Sequence, residues 1–314
     1  VSPEEVIEYI DWSPFFNAWQ MRGNFPRILT HKERGEEARK LYDDARAMLE
    51  DIVVKDRIRL RAVCGLWPAN ATGDDVELFA DPERSRVVET LRFLRQQKER
   101  SSEDEPYLCL SDFVAPRESG IVDSVGAFAC TAGNEIEEYA NSYKEKGDDY
   151  NAILIQALAD RFAEGLAEYC HKKIRDDLGY GGDEPFRFGE RLGAAPGEVH
   201  PHVEWMVKER YQGIRPAAGY PSCPDHTEKQ KIWDLLDVEK KTGMSLTSSY
   251  AMFPPSSVSG LYFAHPEARY FAVGRINRDQ VEDYAARKGL SVEECERWLM
   301  SDLAYEPEEA PVSA

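Results

Sequence analysis

Residues 211–229 read Tyr211-Gln-Gly-Ile-Arg215-Pro-Ala-Ala-Gly219-Tyr220-Pro-Ser-Cys-Pro-Asp225-His-Thr-Glu-Lys229. Three prolines fix φ along a stretch too irregular for a helix or a strand, and Gly219 permits a left-handed turn or a close backbone approach to a ligand. Arg215 offers a planar fork for a carboxylate, and Tyr220 offers a ring to stack or shield. A stiff loop loses little freedom on binding, so the segment suits a small molecule as well as it suits a structural turn. Asp225 with Glu228 three residues on has capping-box spacing and predicts a helix from about His226 to Lys241.

Working outward, the spacing of Ile155, Leu158, Phe162, Leu166 and Tyr169 gives one apolar stripe and predicts a helix from Asp148 to Asp176. Ala38, Leu41, Ala45 and Leu49 predict another from Gly35 to about Val54. Ser13-Pro14 reads as a helix start, with Ser13 as N-cap, and Ser291 with Glu294 opens a final helix. A further helix is expected over 85–97. Strand-like runs cover 62–67, 76–80, 107–115 and 121–131, and a hairpin over 260–264 and 270–274 is expected to turn at His265-Pro266. Strands and helices cluster rather than alternate, so the pattern is α+β and not a doubly wound sheet.

The 314 residues carry 39 Lys+Arg against 58 Asp+Glu, a net charge of −19. Nucleic-acid affinity depends on clustered cations that release counterions, so such an acidic chain makes DNA and RNA poor partners. The charge serves solubility or favours a cationic ligand. No run of about 18 apolar residues and no charged-then-apolar leader is present, which predicts no membrane span and a cytoplasmic protein. The six cysteines are scattered without C-x-x-C pairs, as expected of free thiols. A chain beginning at Val1 is expected to be processed or to be part of something longer.

Three constellations stand outside the Pro-rich loop. Asp177-Leu-Gly-Tyr-Gly-Gly182 spells a glycine-rich cofactor cradle, but such a cradle needs a buried strand before it, and a charged helix end precedes it here. A flexible loop is the expected reading. His200, His202 and Glu204 alternate and could offer three metal ligands from a strand edge; in a polar loop they are expected to be solvated, so no metal is assigned. Asp160, Glu164 and Glu168 share one helical face, with Arg161 and Lys172 placed to relieve their repulsion. They read as a solvated face or as one that meets a cation.

The R-x-x-x-G-Y segment at Arg215 to Tyr220, continued as G-Y-P-x-C-P-x-H-T-E-K, resembles the C-terminal reactivation domain of cobalamin-dependent methionine synthase. Four more segments match in the same order: Asp11-Trp-Ser-Pro-Phe-Phe16, Ser111-Asp-Phe-Val-Ala-Pro116, Ala157-Leu-Ala-Asp-Arg161 with Glu164 beyond, and Arg278-Asp-Gln-Val-Glu-Asp-Tyr284. The resemblance implies a single α+β domain over 1–302, with a curved antiparallel sheet flanked by helices, and a flexible acidic tail over 303–314. It further implies S-adenosylmethionine (AdoMet) binding in a shallow groove, and remethylation of inactive cob(II)alamin to methylcobalamin after docking on the cobalamin-binding domain. A flavodoxin or flavoprotein reductase would supply the electron. The module would be monomeric, would contact cobalamin only when docked, and would not turn over alone.

Residue by residue, the resemblance places Asp11, Glu164 and Glu209 as acids around the ligand and Arg215 on its carboxylate. Ala217 and Gly219 would supply backbone to the adenosine, and Tyr220 and Tyr270 would stand near the methyl end. Asp160 would face the histidine released from cobalt. Ile136 stands where an acid is expected, and the 177–207 loop is longer than the family pattern. The family's cobalamin-binding D-x-H-x-x-G is absent from this stretch. Two rivals remain at this point: a free-standing methyltransferase using the Gly179–Gly182 loop, and a docking module using basic clusters at Lys144–Lys146, Lys172–Arg175 and Lys229–Lys231. Neither a catalytic acid–base pair nor a nucleophile is expected.

Overall fold

The computed structural model describes residues 1–99, 102–190 and 197–307. In chain order the helices and strands are α1 (Pro3–Ile7), α2 (Trp12–Ala18), α3 (Gly35–Val54), β1 (Arg61–Thr72), β2 (Asp75–Phe79), β3 (Val87–Arg92), β4 (Asp123–Thr131), α4 (Glu135–Lys144) and α5 (Asp149–Asp177). They continue with α6 (Pro201–Val207), α7 (Lys229–Leu236), α8 (Val238–Thr242), β5 (Ser245–Leu246), β6 (Met252–Phe253), β7 (Ser257–Tyr262), α9 (Arg278–Lys288) and α10 (Val292–Leu299). The class is α+β, as its clustered pattern implies. Among the described residues no helix is long and apolar enough to cross a membrane.

The chain forms two compact units, each described by itself. The first comprises Val1–Cys64, Ala129–Gln212 and Asp237–Val258. Its centre is α5, whose Ile155, Leu158, Phe162 and Leu166 are fully buried; burying side chains of this size stabilises by roughly 1.5–3 kcal/mol each. Asp148 caps α5 by accepting from the Asn151 N–H. Gly165 lets α1 approach, since a Cβ there would stand 3.1 Å from Val6 Cγ1 and 3.3 Å from the Val6 carbonyl.

At the end of α5 the sequence departs from an amphipathic pattern, and the structure shows why. Lys172 and Arg175 are fully buried. Lys172 pairs with Asp176 at 2.8 Å and Glu184 at 3.1 Å, and Arg175 Nε with Glu184 Oε1 at 2.5 Å. Burying these cations is tolerable only because the following turn returns Glu184 to them. Lys172 therefore does not relieve the acidic stripe, contrary to the sequence expectation.

The second unit comprises Gly65–Phe128, Gly213–Leu236 and Ser259–Ala314. All five strands of an antiparallel sheet, in the order β3-β2-β1-β4-β7, contribute to it. β1 and β2 form a hairpin that turns at Gly73, which has φ +61°. A second cluster buries Leu94, Val273, Ile276, Tyr284, Leu299 and Leu303 around α9 and α10.

Several local expectations are corrected. Residues 87–92 form the strand β3 rather than helix, paired antiparallel with β2. The run 107–115 holds a 3-10 turn at Leu110–Phe113, because the Asp112 carboxylate accepts from the Cys109 N–H at 2.8 Å and folds the chain back. Residues 270–274 pair with no strand; the Val273 N–H instead donates to the Pro221 carbonyl at 2.8 Å. α2 is capped by Asp11, not Ser13, whose hydroxyl accepts from the Phe25 N–H at 3.2 Å. The helix expected over 226–241 breaks at Asp237, with φ +53°. Leu303 to Tyr305, expected in the frayed tail, are held by an Ala304 N–H to Ile276 carbonyl bond and by Tyr305 donating to Glu296. Residues 308–314 and 191–196 lie outside the described residues.

Candidate functional site

The Pro-rich loop belongs to the second unit and runs as an extra edge beside β7. Ile214 and Phe263 exchange backbone hydrogen bonds at 2.9 and 3.0 Å, and the Leu261 N–H donates to the Pro216 carbonyl at 2.9 Å. The approach is close enough to demand glycine: a Cβ on Gly213, φ +87°, would lie 2.5 Å from the Phe263 carbonyl oxygen. Beyond it, the Gly219 N–H donates to the Cys223 carbonyl at 2.7 Å and the Cys223 N–H to the Tyr220 carbonyl at 2.8 Å, closing a tight turn.

Gly219 has φ +88°, and its α-carbon lies against the His226 ring, which a Cβ would meet at 2.1 Å. His226 is held in turn by Lys229, whose Nζ lies 2.7 Å from Nδ1. Burial, with the neighbouring Lys229 charge, pushes the His226 pKa down. The ring is therefore neutral near pH 7, accepts at Nδ1 and keeps its proton on Nε2.

Beneath the loop lies a buried charged cluster that the motif reading missed. Asp225 accepts from the Thr227 N–H at 2.8 Å, the Tyr284 hydroxyl at 2.8 Å and Lys288 Nζ at 2.5 Å. Burial alone would push the Asp225 pKa up, but the Lys288 ammonium and the donors to it hold the carboxyl below the usual range. Glu228 accepts from the Arg92 N–H at 3.1 Å, Lys231 at 2.8 Å and Lys288 at 2.9 Å. Asp225 thus caps as expected, whereas Glu228 is a cross-chain anchor and completes no capping box. The signal in the sequence was the charge-rich run Asp225-His-Thr-Glu-Lys229; its partner Lys288 is too distant in sequence to be found by spacing.

The face above the loop is uncovered. Tyr220 is 63 % and Tyr270 39 % exposed, and Arg215, Ala217 and Gly219 are half-buried. Tyr270 accepts from the Arg215 backbone N–H at 3.1 Å. This brings together five of the residues singled out in the sequence: a guanidinium, two phenol rings and accessible backbone. That donor set fits an amino-acid carboxylate joined to a flat heterocycle.

The remaining candidates lie in the first unit. Asp11 is half-buried and spends one oxygen on the Ser13 N–H at 2.9 Å. Asp160 and Glu164 are exposed one turn apart on α5, and Asp160 accepts from the Ser256 hydroxyl at 2.7 Å. Glu209 is exposed just past α6 with φ +46°. Ile136 is fully buried on α4. A cavity of about 1270 Å³ in this unit is lined by Asp11 and none of the other eight candidates. His200 and His202 open α6 rather than a strand, and Glu204 is exposed and paired with Lys208.

The glycine-loop rival loses its footing, and the docking rival loses part of its surface. The Gly179–Gly182 run follows α5 directly, and a Cβ on Gly181 would meet Asp176 at 2.5 Å and Arg175 at 3.1 Å, so this is a turn packed on its own helix. The proposed basic surface is interior in part: Lys172, Arg175 and Lys229 are buried, whereas Lys144, Lys146 and Lys173 are exposed.

Comparison with known proteins identifies the family. Residues 3–289 match the family model for the vitamin B12-dependent methionine synthase activation domain. A crystal structure of the MetH reactivation domain bound to AdoHcy superposes with a TM-score of 0.90 at 48 % identity, covering 98 % of this chain and 89 % of that one. The chain belongs to the family of activation domains of vitamin B12-dependent methionine synthase.

Proposed function

We propose that this chain binds AdoMet over the Arg215–Tyr220 loop and presents its methyl group to the cobalt of a docked cobalamin-binding domain. The observation that carries this reading is the rigid, uncovered edge itself: Arg215 beside Tyr270 and the Gly219 turn, in a chain whose similar solved structure holds AdoHcy. AdoHcy is what AdoMet becomes on losing its methyl group, so the same groove serves donor and product.

The residues divide the work by charge. Arg215 takes the ligand carboxylate, the backbone at Ala217 and Gly219 meets the adenosine, and Tyr220 and Tyr270 border the sulfonium. Asp11, Glu164 and Glu209, the acids that the family resemblance assigns to the ligand, carry the charge that suits a sulfonium and an ammonium. Asp160 meets the histidine that leaves cobalt. No proton is transferred, so the chain contributes positioning and exclusion of water rather than an acid or base. A docked cobalamin, reduced by one electron from a flavodoxin or flavoprotein reductase, would supply the nucleophile for the methyl group, and AdoHcy would be released. The site requires the cobalamin-binding domain of the same enzyme, so the isolated module performs no turnover; it works as a monomer, in the cytoplasm.

The test is transfer of label. This chain is mixed with a cobalamin-bearing fragment of a methionine synthase, reduced flavodoxin and methyl-labelled AdoMet. Label appearing on cobalt only when the chain is present supports the proposal, and label appearing equally without it refutes it.

A further inference from the structure

The first unit holds a second cluster that the methyl-transfer reading leaves unused. Tyr9, Val203, Met206 and Tyr211 form a small buried core, and His202 is fully buried beside it. The His202 ring stacks on Phe186 with centroids 3.9 Å apart and lies 5.3 Å from Tyr9. Among the described residues neither of its ring nitrogens has a hydrogen-bond partner, and His200 Nε2 is likewise buried without one. Three orphaned imidazole nitrogens are costly in an interior, because buried polar groups are normally satisfied.

Glu8 faces the same point. His200 Nε2 stands 3.9 Å from Glu8 Oε2, and one ligand atom each from Glu8, His200 and His202 lies within 4.8 Å of the others. We propose that Glu8, His200 and His202 bind a divalent transition ion of the zinc class. Two imidazoles and a carboxylate are a recurrent zinc set, with ligand distances of about 2.0–2.2 Å. The side chains must therefore draw together on binding. His200 Nδ1 now accepts from the His202 N–H at a long 3.4 Å; coordination through Nε2 moves the ring proton to Nδ1 and gives up that weak contact.

The local charge permits a cation. Lys172 is close enough to act on His202, but Asp176 and Glu184 already neutralise it at 2.8 and 3.1 Å. Glu8 and His200 line the 1270 Å³ cavity, which gives the ion an entry path and leaves its fourth position toward water. Glu8 ends α1 and His200 caps α6, so the ion ties the N-terminal helix to the segment before the Pro-rich loop. The carboxylate ligand is Glu8, 192 positions from His200, and not the Glu204 that alternation suggests.

The full chain, stripped with a chelator, is titrated with Zn²⁺ by calorimetry and with Co²⁺ by visible absorption. One equivalent with tetrahedral Co²⁺ bands and no thiolate charge-transfer band is expected. His202 is buried and its replacement could unfold the unit, so Glu8→Gln and His200→Asn carry the test. Each should weaken binding by more than the roughly 10- to 100-fold that losing even an outer partner of a metal ligand costs, while His31→Asn, at an exposed site, changes nothing. Absence of one-equivalent binding, a thiolate band, or undiminished affinity in E8Q and H200N overturns the proposal.

Discussion

The Arg215 backbone N–H donates to the Tyr270 hydroxyl at 3.1 Å, across 55 positions of sequence. The Tyr270 phenol thereby fixes the backbone that carries the Arg215 guanidinium, and in the proposed site the two residues border opposite ends of the ligand. Tyr270→Phe removes the hydroxyl that accepts this bond and keeps the ring. It should weaken AdoMet binding by about 0.5–1.5 kcal/mol, the net worth of one hydrogen bond, with the thermal midpoint nearly unchanged. Equal affinity by calorimetry would show that the contact does not position Arg215.

Gly219→Ala meets two obstacles, a φ of +88° and the His226 ring at 2.1 Å from the new Cβ. Left-handed backbone alone costs a non-glycine residue about 1 kcal/mol or more, and the displaced ring adds to it. Denaturant unfolding should show a loss of that size together with reduced AdoMet affinity. A variant of normal stability and affinity would mean that the turn is not under this constraint.

Asp225→Asn leaves Lys288 buried with only Glu228 opposite, and breaking a buried pair in this way costs about 3–5 kcal/mol. The wild-type carboxyl has a folded pKa below its unfolded value. Its stabilisation is therefore complete above the unfolded pKa of about 3.9 and is lost as pH falls below that, through the depressed folded value. Denaturation between neutral pH and pH 3 should show an acid-dependent loss in wild type that is smaller in D225N. Parallel pH profiles would remove Asp225 from the acid response.

Gly181→Ala separates the loop reading from the turn reading. Its Cβ would press on Asp176 and Arg175, so stability should fall while AdoMet affinity stays the same. Loss of binding in a folded G181A protein would restore the glycine-rich cradle.

How much of this was legible depended on range. The apolar stripe of α5 and the 3.6-residue rhythm of α3 were plain in the sequence, since each is a local pattern. β3 was not, because Val87, Leu91 and Leu94 fall at helical spacing, and only pairing with β2 makes the segment a strand. The 107–115 run was misread because the Asp112 side chain competes for a backbone N–H. In the site, Arg215, Gly219 and Tyr220 share one motif and announced themselves. Tyr270 as a latch and Lys288 as a buried counter-ion did not, since neither lies near its partner in sequence. Glu8 was invisible for the same reason.

The central claim is that the Arg215–Tyr220 edge holds AdoMet. Calorimetric titration of the wild-type chain and of Arg215→Ala, side by side with AdoMet, tests it most directly. The account predicts saturable binding at one equivalent, weakened in R215A by on the order of 1.5–3 kcal/mol for a lost charge-assisted bond. No heat in wild type at millimolar ligand, or equal affinity in R215A, would contradict it.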